Sequence, residues 1–240
     1  MFVGHFGVGF GAKAAAPRVS LGTLLLAAQL VDLLWPAFVL LGLEEVRIDP
    51  GNTAVTPLDF VRYPYTHSLL TGIGWGVLLG LAYLVHRRLW RGAVVVTAVV
   101  VSHWVLDWIS HRPDLPLVPG GIKVGLGLWN SVPATVAVES LIFASGVTLY
   151  LRATRARDRV GHWALWALIA FLAIAYVGNL AGPPPPSPLA IGWVGLAMWL
   201  LVPWGYWIDR HRELVARSSD RFRAPGSMPR HDPEPEMSWK

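Results

Sequence analysis

Six apolar runs, each close to the ~20 residues that cross a ~30 Å hydrocarbon layer, dominate this 240-residue chain and point to a helical membrane bundle. They are Leu21–Leu43, His67–His86, Ala93–Ser110, Leu126–Leu151, Trp163–Ala181 and Leu189–Ile208. In lipid every backbone polar group must be satisfied within its own segment, so each run is expected to be a helix. Only 15% of residues are charged, against about a quarter in soluble domains, which assigns the surplus apolar surface to lipid. The third run is short by a turn, but Trp90 and Trp108 can mark its two interfaces. Trp129, Trp163, Trp204 and Trp207 fall near other run ends, as an interfacial belt requires.

Orientation follows from Lys and Arg. With the segment before Leu21 inside, sixteen basic residues lie on the cytoplasmic side. Arg47, Arg62, Arg112 and Lys123 alone lie outside, and the C-terminus is inside. The net charge of +5 is carried in short clusters between apolar spans, which fits membrane orientation better than a nucleic-acid surface. The fold class expected is all-α, a polytopic bundle of six long transmembrane helices plus a short N-terminal membrane-inserted helix. That extra helix is Phe2–Ala16, Gly-rich and closed by Pro17, with a reach of only ~21 Å. Its glycines suit close helix packing better than phosphate binding, because no Lys-Ser/Thr pair follows them. No cleavable signal peptide is expected. Residues 1–212 read as one transmembrane domain and 213–240 as a basic, disordered cytoplasmic tail. The proline run from Pro183 to Pro186 reads as a stiff outer connector.

Against this background the ionisable groups inside the runs stand out. Asp32, Asp107 and Glu139 would together cost about 8–10 kcal/mol if left alone in hydrocarbon, at roughly 2.5–3.5 kcal/mol each. They need a cation, a metal or a water-filled cavity. His103, Asp107 and His111 recur every four residues along one helix stripe, and neighbours four apart can chelate one ion. Counting rise per residue from the inner boundary puts Asp32, His103 and Asp107 at similar depth in the outer half of the bilayer. His5 reaches that level if the N-terminal helix points outward. His67 lies higher unless its helix starts earlier, near Pro64. The chain has no cysteine, so any metal must be held by His and carboxylate ligands.

Milder readings apply elsewhere. His86 and His162 sit beside Arg clusters at helix ends, and His211 and His231 read as tail residues. Thr66 and Ser68 can cap the helix that begins at His67. Glu139 is a catalytic acid, a ligand or a proton carrier, or else it pairs with Asn130 or a buried Arg.

Gly4-His5, Asp32, Tyr65-Thr66-His67-Ser68-Leu69, and Ser102-His103 with Asp107 four residues later resemble a family of inner-membrane-associated, metal-dependent hydrolases, formerly a domain of unknown function. The resemblance covers roughly residues 4–114. In that family the histidine–threonine–histidine–serine region and the Ser-His-x-x-x-Asp helix are taken as the metal-binding core. Members often carry an Asp-x-Asp-His cluster where Asp32 stands alone here, and a basic stretch where Tyr63-Pro64-Tyr65 stands.

The function expected is a membrane-embedded hydrolase of the bacterial inner membrane. A divalent ion, Zn or Mn, would be held by a subset of His5, Asp32, His67, His103 and Asp107. His111, Asp114 or Glu139 would serve as general base or acid. A site in the outer half of the bilayer suits an amphiphilic substrate, a lipid or phosphoester, arriving sideways. The alternative is a proton- or cation-coupled transporter using the intramembrane acids. That class tends to show broken helices in matching halves, and the sequence shows only Pro36 breaking one helix. A third reading, a scaffold whose basic tail binds anionic lipid, leaves the buried acids unexplained.

Overall fold

The computed structural model describes residues 1–215; the expected tail lies, from residue 216 on, outside the described residues. Eight α-helices form the bundle: α1 (Val3–Ala15), α2 (Leu21–Leu40), α3 (Leu69–Arg87), α4 (Trp90–Ser110), α5 (Val132–Ala153), α6 (Arg159–Ala181), α7 (Pro188–Ala197) and α8 (Leu201–Arg210). Five of them, α2 to α6, are long and apolar enough to cross a membrane, and α7 with α8 makes a sixth such segment. Three two-stranded antiparallel ribbons decorate the ends. They are β1 (Glu45–Ile48) with β2 (Leu58–Arg62), β3 (Leu115–Pro116) with β4 (Lys123–Val124), and β5 (Thr154–Ala156) with β6 (Arg212–Leu214). The last ribbon carries ordered chain past residue 212.

Helix α1 is the organising element. Thirteen residues give it ~20 Å, too short to span, and it stands inside the bundle against α5, α2 and α4. Gly7 and Gly146 make this possible: a Cβ on Gly7 would meet the Ile142 carbonyl oxygen at 2.7 Å, so the two backbones touch directly. Phe6 and Phe10 are fully buried beside Leu21, Leu25, Tyr150, Leu165 and Leu168. The N-terminus of α1 ends in the protein interior, where its N–H groups have no water to satisfy them. Glu139 Oε2 accepts from Phe2 N at 2.8 Å and Gly4 N at 3.1 Å. Lys13, at the other end, donates to Asp209 Oδ2 and to the Val19 carbonyl.

Several boundaries differ from the sequence reading, each for a local reason. Pro36 does not break α2, which runs unbroken to Leu40; the proline merely removes the N–H that would have bonded the Asp32 carbonyl. The sixth segment is the interrupted one. A 3-10 turn at Met198–Leu200 separates α7 from α8 just before Pro203, which cannot donate back to Trp199. The fourth span starts at Val132 instead of Leu126, because Gly127 takes a positive φ and Ser131 caps the helix, with Pro133 in its first turn. Residues 126–131 fold back on α4 instead, with Leu126 N donating to Trp108 and Gly127 N to His111. The third span is 21 residues, starting at Trp90, and so is not short.

Candidate metal centre

Five side chains from four separate elements converge at mid-bundle. His5 comes from α1, Asp32 from α2, His67 from the turn before α3, and His103 and Asp107 from α4. Asp107 sits at the centre. Its Oδ1 is 3.0 Å from His5 Nε2, and its Oδ2 is 3.1 Å from His103 Nε2 and 3.8 Å from His67 Nε2. Asp32 closes the ring, with Oδ1 3.2 Å from His67 Nε2 and Oδ2 3.6 Å from His103 Nε2. Donor atoms ~2.0–2.2 Å from a shared ion lie roughly 3–3.5 Å from each other in a tetrahedral site, which is the spacing seen here. Two triads bring one donor atom from each residue within 4.8 Å of one another, His5–His103–Asp107 and Asp32–His67–His103, and they share His103. The stacked rings of His5 and His103, with centroids 3.6 Å apart, lock both imidazoles in place.

The hydrogen bonds behind the histidines decide which nitrogen faces inward. His103 Nδ1 lies 2.7 Å from the Ala28 carbonyl, which can only accept, so Nδ1 carries a proton and, in the neutral ring, Nε2 presents a lone pair. That Nε2 is buried without a hydrogen-bond partner. The two carboxylates facing Nε2 are balanced either by a proton on that nitrogen or by a cation held between them. The α-amino nitrogen of Met1, 2.6 Å from Asp107 Oδ1, shows the same oxygen already drawing in positive charge. The donor set therefore fits a divalent ion: two carboxylates to balance it and imidazole nitrogens aimed at it.

His67 is held by a relay that the sequence reading missed. Glu44 is buried, and its Oε1 accepts from the backbone N–H groups of Tyr65 and Thr66. Its Oε2 accepts from the Thr66 hydroxyl at 2.7 Å, which in turn accepts from His67 Nδ1 at 2.7 Å. This chain of donors holds a proton on His67 Nδ1 and turns Nε2 toward Asp32, the orienting role that outer carboxylates play at metal sites. Thr66 is thus a relay, and Ser68 alone caps α3, whose helix starts at Leu69. His67 reaches the level of Asp32 because residues 63–68 fold inward onto Glu44, not because the helix starts early.

His111 and Asp114 form a second cluster at the C-terminal end of α4. His111 Nδ1 is 2.9 Å from Asp114 Oδ1, and the Tyr63 hydroxyl donates to that oxygen at 3.0 Å. His111 leaves the helical stripe, since its backbone is already extended at the end of α4. Burial holds its imidazole below the ordinary value against the pull of Asp114. Burial alone would raise the Asp114 carboxyl, but hydrogen bonds from His111, Tyr63 and Arg112 outweigh it and hold it low. Tyr63 lies between the clusters, its ring 5.3 Å from His67 and 6.0 Å from His111. Glu139 is in neither cluster; its observed partners are the α1 N–H groups, not Asn130 or an arginine.

A cavity of about 410 Å³ reaches the centre from the side, between α2 and α7. Phe2, Trp35, Pro36, Ile191, Val194 and Met198 line it, and Asp32 is the one residue of the centre among its lining side chains. Asp32 is the one donor with an open side chain, 25% exposed, while the other four are at 5% or less. Compared with family models, curated proteins and solved structures, the chain matches none. The family resemblance therefore rests on its motif residues alone. What stands is a helical, membrane-type bundle holding a His/Asp cluster able to bind a metal.

Proposed function

We propose that this protein is a metal-dependent hydrolase of an amphiphilic substrate, with His5, Asp32, His67, His103 and Asp107 as the ligands of a divalent ion, Zn or Mn. The observation that carries the reading is the convergence of those five donors, with the Nε2 atoms of His103 and His67 turned inward by Ala28 and by the Glu44–Thr66 relay. When bound, the ion supplies Lewis-acid polarisation of the scissile oxygen and makes water more acidic. Asp107 offers its two oxygens to different histidines, the arrangement of a carboxylate that can bridge two ions. His111, kept neutral by burial and oriented by Asp114, is the general base. Its activity is retained above the ordinary histidine pKa of about 6.5 and lost only at lower pH. Glu139 acts by holding the α1 N-terminus and hence His5, as a positioning residue instead of an acid.

The apolar cavity that Asp32 helps to line supports a substrate whose hydrocarbon arm lies between α2 and α7 while its polar group meets the centre. The transporter reading fares worse. Toward the basic end, Phe6, Phe10, Leu24, Leu25, Val96 and Val100 are fully buried apolar side chains, packing that disfavours an ion path there. We place the basic end in the cytoplasm of a bacterial cell. A reporter fused after Lys240 should read cytoplasmic, and a periplasmic signal would invert the topology.

Hydrolysis assays on chromogenic esters, amides and phosphoesters test the function directly. Activity should need added Zn or Mn, vanish with a chelator and favour long-chain substrates. Val194 is 72% exposed at the cavity mouth, so Val194→Trp should leave folding intact. It should cost long-chain substrates about tenfold or more in kcat/KM and spare short water-soluble ones. Equal loss for both would remove the cavity from the substrate path, and activity in chelator would sink the metal-dependent reading.

A further inference from the structure

The opposite, basic end of the bundle carries a second feature, independent of the hydrolase reading. A cavity of about 460 Å³ lies between the α1–α2 loop, the α3–α4 loop and the end of β6. Arg18, Arg88 and Arg91 line it together with Pro17, Trp90 and Leu214, and among the described residues no carboxylate does. Trp90 is shared with a groove of about 610 Å³ running along α3 and α4, walled by Val77, Leu81, Leu84, Val94, Ala98 and Val101. A basic cavity and an apolar groove along α3 and α4 thus meet at Trp90, a residue type enriched at membrane interfaces.

Charge at this end is unbalanced in a specific way. Among the described residues, its carboxylates are already engaged: Asp209 with Lys13, Asp158 with His211, and Glu213 with Arg155. Arg18, Arg88 and Arg91 have no ion-pair partner among the described residues. Arg88 also adopts the left-handed conformation, φ +52°, at the end of α3, where glycine is the favoured residue. The backbone is thereby turned so that Arg88, Leu89 and Trp90 follow one another across the cavity rim.

We infer that the Arg18–Arg88–Arg91 cavity and the α3–α4 groove form one binding site for an anionic glycerophospholipid, its phosphate among the arginines and an acyl chain along the groove. Basic cavities between transmembrane helices on the cytoplasmic side bind such headgroups, and each arginine near the surface adds favourably. The apolar channel is what favours a lipid over free phosphate.

Native mass spectrometry of the full-length protein in detergent, titrated with phosphatidylglycerol, phosphatidylcholine or inorganic phosphate, tests this. Phosphatidylglycerol should be retained, and neither of the other two should displace it. The Arg18→Gln/Arg88→Gln/Arg91→Gln variant should bind it on the order of 100-fold more weakly, and Arg91→Gln alone about fivefold more weakly. Val94→Trp fills the groove from a position 55% exposed, so it should weaken retention with all arginines present. Should the triple variant fail to fold, the two single variants decide, and unchanged binding in both overturns the site. Displacement by phosphate alone would reduce the site to a simple anion site, and equal binding of phosphatidylcholine would remove the arginines' role.

Discussion

Asp107→Asn is expected to strip the protein of bound metal while leaving it folded in detergent. Asparagine keeps the shape, so His5 and His103 retain a neighbour of the same size, but the charge that both imidazoles and the Met1 amine converge on is gone. Loss of a charged ligand should exceed the roughly 10–100-fold cost in affinity of losing an outer-shell partner. Metal content and the thermal melt are read on the same sample. A variant that keeps its metal removes Asp107 from the site; one that loses both metal and melt is replaced by Asp32→Asn, whose side chain is partly open.

Glu44→Gln is the second large effect, because it should act by moving a proton instead of deleting a ligand. Glutamine keeps an oxygen for the Tyr65 and Thr66 N–H groups but turns an NH₂ toward the Thr66 hydroxyl. The hydroxyl must then accept there and donate to His67 Nδ1, which forces the proton of His67 onto Nε2, the nitrogen facing Asp32. A protonated Nε2 cannot bind an ion. Metal affinity should fall about 10–100-fold. Nitrogen NMR of His67 should report the opposite tautomer from wild type, a signal that a purely structural loss would not give. Thr66→Val breaks the relay without reversing it and should give the smaller loss. Unchanged affinity and tautomer in Glu44→Gln would make the relay irrelevant to the centre.

The sequence made the α4 contribution legible, because His103 and Asp107 stand four apart in an otherwise apolar helix where neither has a structural excuse. Depth counting brought in Asp32, and His5 followed from an α1 whose N-terminus lies at the level of Asp107, as the contact between them shows. Glu44 was not legible. It follows α2 beside the half-buried Glu45 in a short polar turn, and its partners are about twenty residues away, so nothing local separates the buried glutamate from its neighbour. Glu139 was visible as an anomaly but not as a cap, since the helix end it serves lies 135 residues earlier in the chain. The six spans were evident from apolar length, whereas their ends were set by Gly127, Ser131 and Pro203, whose effects are decided by loop packing. The three ribbons are two to five residues per strand, too short for any alternation to register.

The most direct test of the centre is metal content by inductively coupled plasma mass spectrometry, comparing purified wild type with the His103→Ala/Asp107→Ala double variant. One or two equivalents of Zn or Mn in wild type, absent from the variant, is the predicted result. Wild type that stays empty after loading with either metal, or a variant that binds as much, would contradict it.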